Sequence, residues 1–153
     1  NKEFTELGYM TELLLYASAR AQLVKENIKP ALEAGQAVIA DRFVDSSAVY
    51  QGIGRGLGVD TVYKVNEFAL QGIMPDMTFL MDLNAQEGIA RKKNQAELDR
   101  MENEKIEFHQ KVVDGYRMLA DMHPERIVKI DATLPINEIH GIITEYVEKK
   151  LNL

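Results

Sequence analysis

A short stretch of the chain carries six side chains that can bind a ligand or assist a reaction: Asp41, Arg42, Ser46, Ser47, Tyr50 and Gln51. Arginine can hold a phosphate group through two parallel hydrogen bonds, and aspartate is a natural oxygen ligand for magnesium. Hydroxyl and amide groups that follow closely would add donors and acceptors to the same crevice. The pattern favours a site for a phosphorylated ligand, although Asp41 and Arg42 could equally form a structural ion pair.

The residues just before this stretch predict the element that positions it. An apolar run, Ala-Val-Ile-Ala, occupies residues 37–40 between polar neighbours, which is typical of a short buried strand. We place this strand at residues 36–40. Open α/β sheets bind ligands outside the carboxyl ends of their strands, so the strand would present Asp41 and Arg42 to a ligand.

Four glycines follow the same stretch, at positions 52, 54, 56 and 58. They do not form a nucleotide-binding loop of the Walker A type, because the Gly-Lys-Ser/Thr ending is missing. A dinucleotide-binding fingerprint is also disfavoured, since the glycines do not directly follow a strand. We expect these glycines to permit positive φ angles or a close approach of the backbone.

Tyr16 and Arg20 lie four residues apart in a helical pattern and therefore share one helix face. One interpretation is a surface cation beside an aromatic ring. The other is a platform for a nucleobase, on which the ring stacks while the guanidinium donates hydrogen bonds to a carbonyl of the base. The spacing alone leaves both open.

A third group of cations, Arg91, Lys92, Lys93 and Arg100, flanks a very polar segment at residues 94–103. Such a charge run is usually a solvated helix end. It could instead be a lid that brings cations over a polyphosphate and excludes water during transfer. We place this candidate lid at about residues 91–103.

The hydrophobic periodicity predicts helices and strands that alternate along the chain. Helices are expected from Tyr9 to Ala34–Gly35, from Val59 to Gln71–Gly72, from Asn84 to about Lys93, from Glu104 to Met122 and from Pro135 to Leu153. Two further strands are expected, at Met77–Leu83 and Arg126–Asp131. This alternation predicts an α/β fold with a three-layer parallel sheet and helices on both faces.

Length and composition indicate one soluble globular domain over residues 1–153. Three strands would leave a sheet edge open, and the chain begins at Asn1, so we expect further strands upstream in a longer protein.

The net charge of −6 argues against broad nucleic-acid binding. Neither a membrane span nor a signal peptide is visible, and cysteine is absent. The three histidines show no metal-ligand spacing, and no Ser–His–Asp set stands out.

Several segments of the sequence resemble the thymidylate kinases, which convert dTMP to dTDP. They are TELLLYASARAQLV, DRFVDSSAVYQGIGRGLG, PDMTFLMDL and ARKKNQAELDRMENEKIEFHQKVVDGY. The resemblance covers nearly the whole chain, and its second segment is highly specific. It implies the fold of the P-loop nucleoside-monophosphate kinases, the substrates dTMP and ATP, magnesium as cofactor, and a cytoplasmic homodimer that acts in dTTP biosynthesis.

The resemblance also implies roles for residues on the dTMP side. Tyr16 takes the position of the aromatic ring that stacks on thymine, and Arg20 that of the arginine which reaches the carbonyl of the base. Arg42 matches the arginine that holds the dTMP phosphate, and Asp41 the acidic residue near magnesium. The sugar and base would be lined by Ser46, Ser47, Tyr50 and Gln51. Tyr50 is also the candidate for excluding a 2′-hydroxyl.

On the ATP side, the resemblance places Arg91, Lys93 and Arg100 in a basic lid. Ala132 and Thr133 fall where the adenine pocket closes. The family's phosphate-binding loop and its Arg-Glu-Pro-Gly-Gly-Thr segment have no counterpart in these residues. Two other hypotheses therefore stay open: a deoxynucleoside kinase that acts on thymidine, and a truncated, inactive fragment that binds dTMP.

Overall fold

The computed structural model describes residues 6–93 and 104–152, with Lys92 and Lys93 described by their backbone alone. Its α-helices are α1 (Tyr9–Leu23), α2 (Lys29–Glu33), α3 (Val44–Ser47), α4 (Val59–Leu70), α5 (Ala85–Lys93), α6 (Ile106–Met122) and α7 (Ile136–Leu151). Two π-helical segments occupy Val24–Ile28 and Ala48–Gly54. The strands are β1 (Thr78–Asp82) and β2 (Ile127–Asp131). None of the helices in these ranges is long and apolar enough to cross a membrane.

The first helical stretch confirms the predicted helix and shows how it accommodates Pro30. Proline lacks a backbone N–H, and its ring crowds the carbonyl one turn earlier. The chain widens into the π-helical segment Val24–Ile28 just before this point, and Lys29 N–H donates to the Val24 carbonyl. The helix then continues as α2 and gives way to Gly35, whose φ of +74° suits glycine.

Residues 44–54 form a helix that the sequence did not predict. α3 continues directly into the π-helical segment Ala48–Gly54, which packs against α4 and α6. Val49 is fully buried here in the core. Gly54 lies so close to the Phe108 ring that an added Cβ would come within 2.8 Å of it. This close approach confirms the role we predicted for glycine in this region.

The predicted strand at residues 36–40 is wrong, because this segment is irregular and exposed. Ile39 has 98% of its surface exposed, so the apolar run is not buried. An extended segment becomes a strand only when a neighbouring strand pairs with its backbone groups. Among the described residues, the hydrogen-bonded sheet contains β1 and β2 and does not include this segment.

β1 and β2 pair in parallel, with Thr78 opposite Ile127 and Asp82 opposite Asp131. Successive side chains of a strand point to opposite faces. Accordingly, the Phe79 ring meets Tyr146 of α7, whereas Leu80 packs against the core that includes Leu119 of α6. The α/β class and the parallel pairing are therefore confirmed, and neighbouring residues of β1 contact different helical parts of the chain.

The remaining predicted elements are confirmed within a few residues of their expected ends. Asn84 caps α5, since its Oδ1 accepts a hydrogen bond from Glu87 N–H at 2.9 Å. α6 ends at Met122, two residues before Pro124. β1 and β2 end at Asp82 and Asp131, which lie opposite each other in the pairing. The segments that follow the two strands therefore begin at the same end of the sheet.

Candidate functional site

α1 and residues 44–54, together called the helical layer here, run antiparallel to each other. Arg20 of α1 contacts Ser47, and Glu12, two turns earlier, contacts Gln51, one turn later. Both hydrogen bonds are 2.8 Å long and join buried side chains. The two polar pairs hold the helices at a fixed register, because a buried polar group without a partner is costly.

Tyr16 lies on α1 midway between these two pairs, one helical turn from each. Its side chain is 47% exposed, unlike its neighbours in both pairs. An aromatic ring that is half open to solvent and bordered by fixed donors and acceptors offers a planar ligand a stacking surface. The structure thus brings Tyr16, Arg20, Ser47 and Gln51 into one region of the helical layer.

The guanidinium of Arg20 is buried and held from several sides. Its Nη2 donates to Ser47 Oγ and to the Phe43 carbonyl at 3.2 Å, and its Nη1 donates to Asn66 Oδ1 of α4. The Phe43 ring lies 5.3 Å from the guanidinium carbon. Burial lowers the pKa of Arg20, and the charge of Asp45 partly offsets this effect. The interpretation of Arg20 as a surface cation is therefore wrong.

Arg42 and Asp41 are both exposed, at the start of the same layer. Arg42 has a φ of +65°, a left-handed conformation that is uncommon outside glycine and often found at functional sites. Its guanidinium lies 5.2 Å from the centre of the Tyr50 ring. Within the described chain, Asp41 and Arg42 do not form a salt bridge with each other, so the structural ion pair we considered does not occur here.

Tyr50, Ser46 and Tyr116 form a cluster next to Arg42. Ser46 Oγ and the Tyr116 hydroxyl share a hydrogen bond of 2.8 Å, and the Tyr50 ring meets Tyr116 edge-on at 6.3 Å. Burial raises the pKa of Tyr116 to about 12, so this phenol stays protonated at neutral pH. The structure therefore groups Ser46, Tyr50 and Arg42 as predicted and adds Tyr116 from α6.

Asp45, for which the sequence predicted no role, anchors α3 to the sheet. Its carboxylate accepts two hydrogen bonds from Arg126, at 2.6 and 2.9 Å, and one from Thr78 at 2.9 Å. Burial alone would raise its pKa, but the hydrogen bonds and charge of Arg126 outweigh this effect and lower it. Tyr63 also donates to Asp45, and burial raises the pKa of that phenol to about 12.

A second region, which we call the strand-end cleft, lies beyond the carboxyl ends of β1 and β2. It is a depression of about 460 Å³ lined by Met81, Leu83, Arg91, Ala132, Leu134, Ile136 and Ile139. Arg91 Nη1 donates to the Ala132 carbonyl at 2.9 Å, and Ala132 N–H donates to the Asp82 carbonyl. A largely apolar cleft at the ends of parallel strands is a typical place for the flat base of a nucleotide.

Thr133 turns away from this cleft toward Asp131, whose Oδ1 accepts from the Thr133 amide at 2.8 Å and hydroxyl at 2.7 Å. These two hydrogen bonds lower the pKa of Asp131. The structure therefore brings together Arg91, which was expected in the lid, and Ala132, which was expected at the adenine pocket. The side chain of Lys93 and the whole of Arg100 lie outside the described residues, as does the rest of the predicted lid at residues 94–103.

Sequence reasoning missed several polar residues that support the site. They are Glu12, Asp45, Arg55, Asn66, Tyr116 and Arg126. Glu12 and Asn66 each interrupt an apolar helix face, which was an available signal for a buried polar contact. Their partners could not have been named from the sequence, because Glu12 and Gln51 are separated by 39 residues.

Comparisons with known proteins agree with the resemblance seen in the sequence. The family model of thymidylate kinase matches residues 2–143. The thymidylate kinase of Geobacillus thermodenitrificans is 50% identical over 141 residues, which cover 91% of this chain and 63% of that protein. The thymidylate kinase of Caldanaerobacter subterraneus is 49% identical over 142 residues, covering 93% of this chain and 68% of that protein.

A third relative, the thymidylate kinase of Leuconostoc mesenteroides, is 48% identical over 131 residues, covering 84% of this chain and 62% of that protein. The chain therefore belongs to the thymidylate kinase family. It spans about two thirds of the length of these relatives.

Proposed function

We propose that this chain supplies the dTMP-binding part of an enzyme that transfers the γ-phosphoryl group of ATP to dTMP, giving dTDP. The observation that carries the proposal is the half-exposed ring of Tyr16 between the pairs Arg20–Ser47 and Glu12–Gln51, in a chain of the thymidylate kinase family. A planar base needs both a stacking surface and fixed polar groups at its edge, and this region offers both.

In this proposal, thymine stacks on Tyr16, while Arg20 approaches a carbonyl of the base. Ser46, Ser47, Tyr50 and Gln51 line the sugar and the base. Tyr50 would crowd a 2′-hydroxyl and so favour deoxyribose. Its packing against Tyr116 supports this role, since a ring held by its neighbours can exclude an added atom more firmly than a mobile one.

Arg42 is the proposed ligand of the dTMP phosphate. Arg42 is an exposed residue whose guanidinium lies close to Tyr50, so a nucleotide whose sugar lies against Tyr50 would have its phosphate near Arg42. Bidentate hydrogen bonds from arginine suit a phosphate dianion. Arg42 would then fix the attacking oxygen in line with the phosphoryl group that is transferred.

The strand-end cleft is the proposed site of adenine, with Ala132 in its lining. Thr133, the next residue, would close the loop beside the base through its backbone, because its side chain is held by Asp131. Arg91, Lys93 and Arg100 would form the cationic lid over the phosphates. The 2.9 Å hydrogen bond from Arg91 to the Ala132 carbonyl supports this arrangement, because it places the first lid cation beside the cleft.

The reaction needs little covalent chemistry from the protein. A phosphate oxygen of dTMP forms a new bond to the γ-phosphorus of ATP, and the bond from that phosphorus to the β–γ bridging oxygen breaks, releasing ADP. Arg42 holds the acceptor, and the lid cations neutralise the oxygens of the group in transit.

Magnesium, when bound, would supply further neutralisation of phosphate charge. The described residues contain no cluster of three or more carboxylates or histidines that could hold a metal alone. One exposed carboxylate, that of Asp41, is nevertheless enough to fit magnesium, because this ion is commonly held by one or two carboxylates together with substrate phosphates.

We further propose that the complete fold is the three-layer sheet of the P-loop nucleoside-monophosphate kinases, that residues 1–153 lie in one domain of it, and that the enzyme is a cytoplasmic homodimer in dTTP biosynthesis. The parallel β1–β2 pair, which packs against helical parts of the chain, supports the sheet arrangement.

The proposal is tested by measuring ADP release with ATP, magnesium and one of three acceptors: dTMP, dCMP or thymidine. We expect turnover that is selective for dTMP. Turnover with thymidine instead would favour a deoxynucleoside kinase. Binding of dTMP without turnover, measured by calorimetry, would favour the fragment hypothesis, and failure to bind dTMP would contradict the proposed acceptor site.

A further inference from the structure

Glu12 and Gln51 form a buried pair in the helical layer, and each is only 2% exposed. Gln51 Nε2 donates to Glu12 Oε1 at 2.8 Å. A side-chain amide has a donor end and an acceptor end, whereas an ionised carboxylate can only accept. As long as Glu12 carries its charge, Gln51 must turn its nitrogen toward Glu12, and its Oε1 is then the group left for any other partner.

Arg55 places a positive charge beside Glu12, since its Nε lies 3.7 Å from Glu12 Oε1. The Arg55 side chain is 5% exposed, and its guanidinium carbon lies 4.8 Å from the ring centres of both Tyr9 and Phe108. Its Nη1 also donates to Glu104 Oε1 at 2.6 Å. Arg55 is thus fixed by several elements, and its positive charge lies next to the Glu12 carboxylate.

We propose that Glu12, held by Arg55, is a specificity-determining positioning residue that fixes the amide of Gln51 with its carbonyl oxygen toward the base. The N3 atom of thymine or uracil carries a hydrogen and can donate to that oxygen. The N3 atom of cytosine is itself an acceptor and would face the oxygen without a hydrogen between them. The fixed amide therefore selects dTMP or dUMP and disfavours dCMP.

This inference rests on the proposed function, because it assumes that a pyrimidine nucleotide lies beside Gln51. It goes further in assigning the discrimination between bases to two residues that need not touch the nucleotide. A free amide could turn over and bind either base, so selectivity requires the amide to be held. The buried, charged pair Glu12–Arg55 is the feature that holds it.

The decisive variant is Glu12→Gln, which keeps the size of the side chain and removes its charge. Glutamine at position 12 can donate or accept, so the Gln51 amide becomes free to turn. Calorimetry would give Kd for dTMP and for dCMP with each protein. We expect the ratio of Kd for dCMP to Kd for dTMP to fall by about tenfold or more, the effect of one hydrogen bond of ~1.4 kcal/mol.

Glu26→Gln is the matched control, because it makes the same change in a similar pair. Gln22 Nε2 donates to Glu26 one turn further along the helix, but this pair is exposed. The control should leave the Kd ratio unchanged. Arg55→Lys keeps a positive charge near Glu12 and loses the planar contact with the two rings, so we expect a smaller fall in the ratio than with Glu12→Gln.

The exchanged pair, Glu12→Gln with Gln51→Glu, provides a rescue. Glutamine at position 12 can then donate to the carboxylate at position 51, whose second oxygen still accepts from N3–H of thymine. We expect this double variant to regain preference for dTMP over dCMP. It also decides the case if Glu12→Gln alone fails to fold. A double variant that prefers dTMP over dCMP as the unmodified protein does supports the inference, and one without that preference overturns it.

The outcomes separate this inference from the proposed function. If the unmodified protein selects dTMP and folded Glu12→Gln keeps the same ratio, the inference is overturned while the proposed function stands. An equal loss of both affinities with an unchanged ratio also overturns it, because that result indicates a purely structural role. If the unmodified protein does not bind dTMP, the proposed function itself fails.

Discussion

The helical layer and the strand-end cleft differ in how their polar groups are held. In the helical layer, buried side chains hold one another: Arg20 contacts Ser47, and Glu12 contacts Gln51. In the cleft, the wall is mainly apolar, and the described polar contact is that of Arg91 with a backbone carbonyl. The layer should therefore be sensitive to the identity of each polar residue, whereas the cleft should depend mainly on its shape.

The largest effect on stability is expected from Asp45→Asn, which removes the charge that Arg126 pairs with inside the fold. Breaking a buried ion pair by removing one partner costs about 3–5 kcal/mol in the free energy of unfolding. Urea denaturation would measure the loss. Asp121→Asn is the control, because its 2.7 Å contact with Lys129 is exposed and should be worth under ~1 kcal/mol.

The same pair predicts a pH dependence. The pKa of Asp45 is lower in the folded state than in the unfolded state, so its contribution to stability is complete above the unfolded pKa, near ~3.9 for aspartate. That contribution is lost as pH falls through the folded pKa. The difference in stability between the protein and Asp45→Asn should shrink in acid, and a constant difference down to pH ~2 would contradict this account.

The second effect concerns Arg42→Ala, which removes the proposed grip on the acceptor phosphate. Loss of a group that stabilises the transition state typically lowers turnover by ~10²–10³-fold, about 3 kcal/mol, and we expect a loss of this order together with weaker dTMP binding. Lys64→Ala, at an exposed cation on α4, is the control. An Arg42→Ala variant within about threefold of the unmodified protein in both quantities would remove Arg42 from this role.

A third prediction tests the packing of the helical layer at Gly54. In Gly54→Ala, the new Cβ would lie 2.8 Å from the Phe108 ring, and overpacking of this kind costs about 1–3 kcal/mol. Gly141→Ala on α7 is the matched control, since an added Cβ there meets nothing within 4 Å. The control should gain ~0.5–1 kcal/mol from helix propensity. Thermal unfolding of the two variants should therefore shift in opposite directions.

The smallest effect is expected from Arg91→Ala in the strand-end cleft. It removes one partly exposed hydrogen bond to the Ala132 carbonyl and should change stability by ~1 kcal/mol or less. If the cleft holds adenine, the variant should raise KM for ATP and leave Kd for dTMP unchanged. An equal effect on both nucleotides would mean that the cleft and the helical layer are not separate subsites.

How far the sequence predicts this molecule depends on whether a feature is local. The helix from Tyr9 and the cap at Asn84 follow from residues within one or two turns, and both were predicted correctly. The strand expected at residues 36–40 requires backbone partners from elsewhere, so its apolar run was not sufficient. Residues 44–54 mix glycines and polar groups, and tertiary packing makes them helical despite their weak local preference.

The candidate site shows the same division. Tyr16 and Arg20 share a face because of their spacing, which the sequence reveals directly. The buried partners Glu12 and Asn66 were missed, since each meets its partner across a long separation along the chain. The grouping of Arg42 with Tyr50 was expected, but the contribution of Tyr116 from α6 was not.

The π-helical segment Ala48–Gly54 has a consequence for insertions and deletions. Each turn of a π-helix holds more residues than a turn of an α-helix, so successive side chains are separated by a smaller angle around the helix axis. Deleting one residue between Ser47 and Gln51 would turn Gln51 by roughly a quarter of a turn relative to Ser47, away from Glu12. The number of residues in this segment is therefore under tighter constraint than most of its individual side chains. A change in its length should be more harmful than a conservative substitution within it.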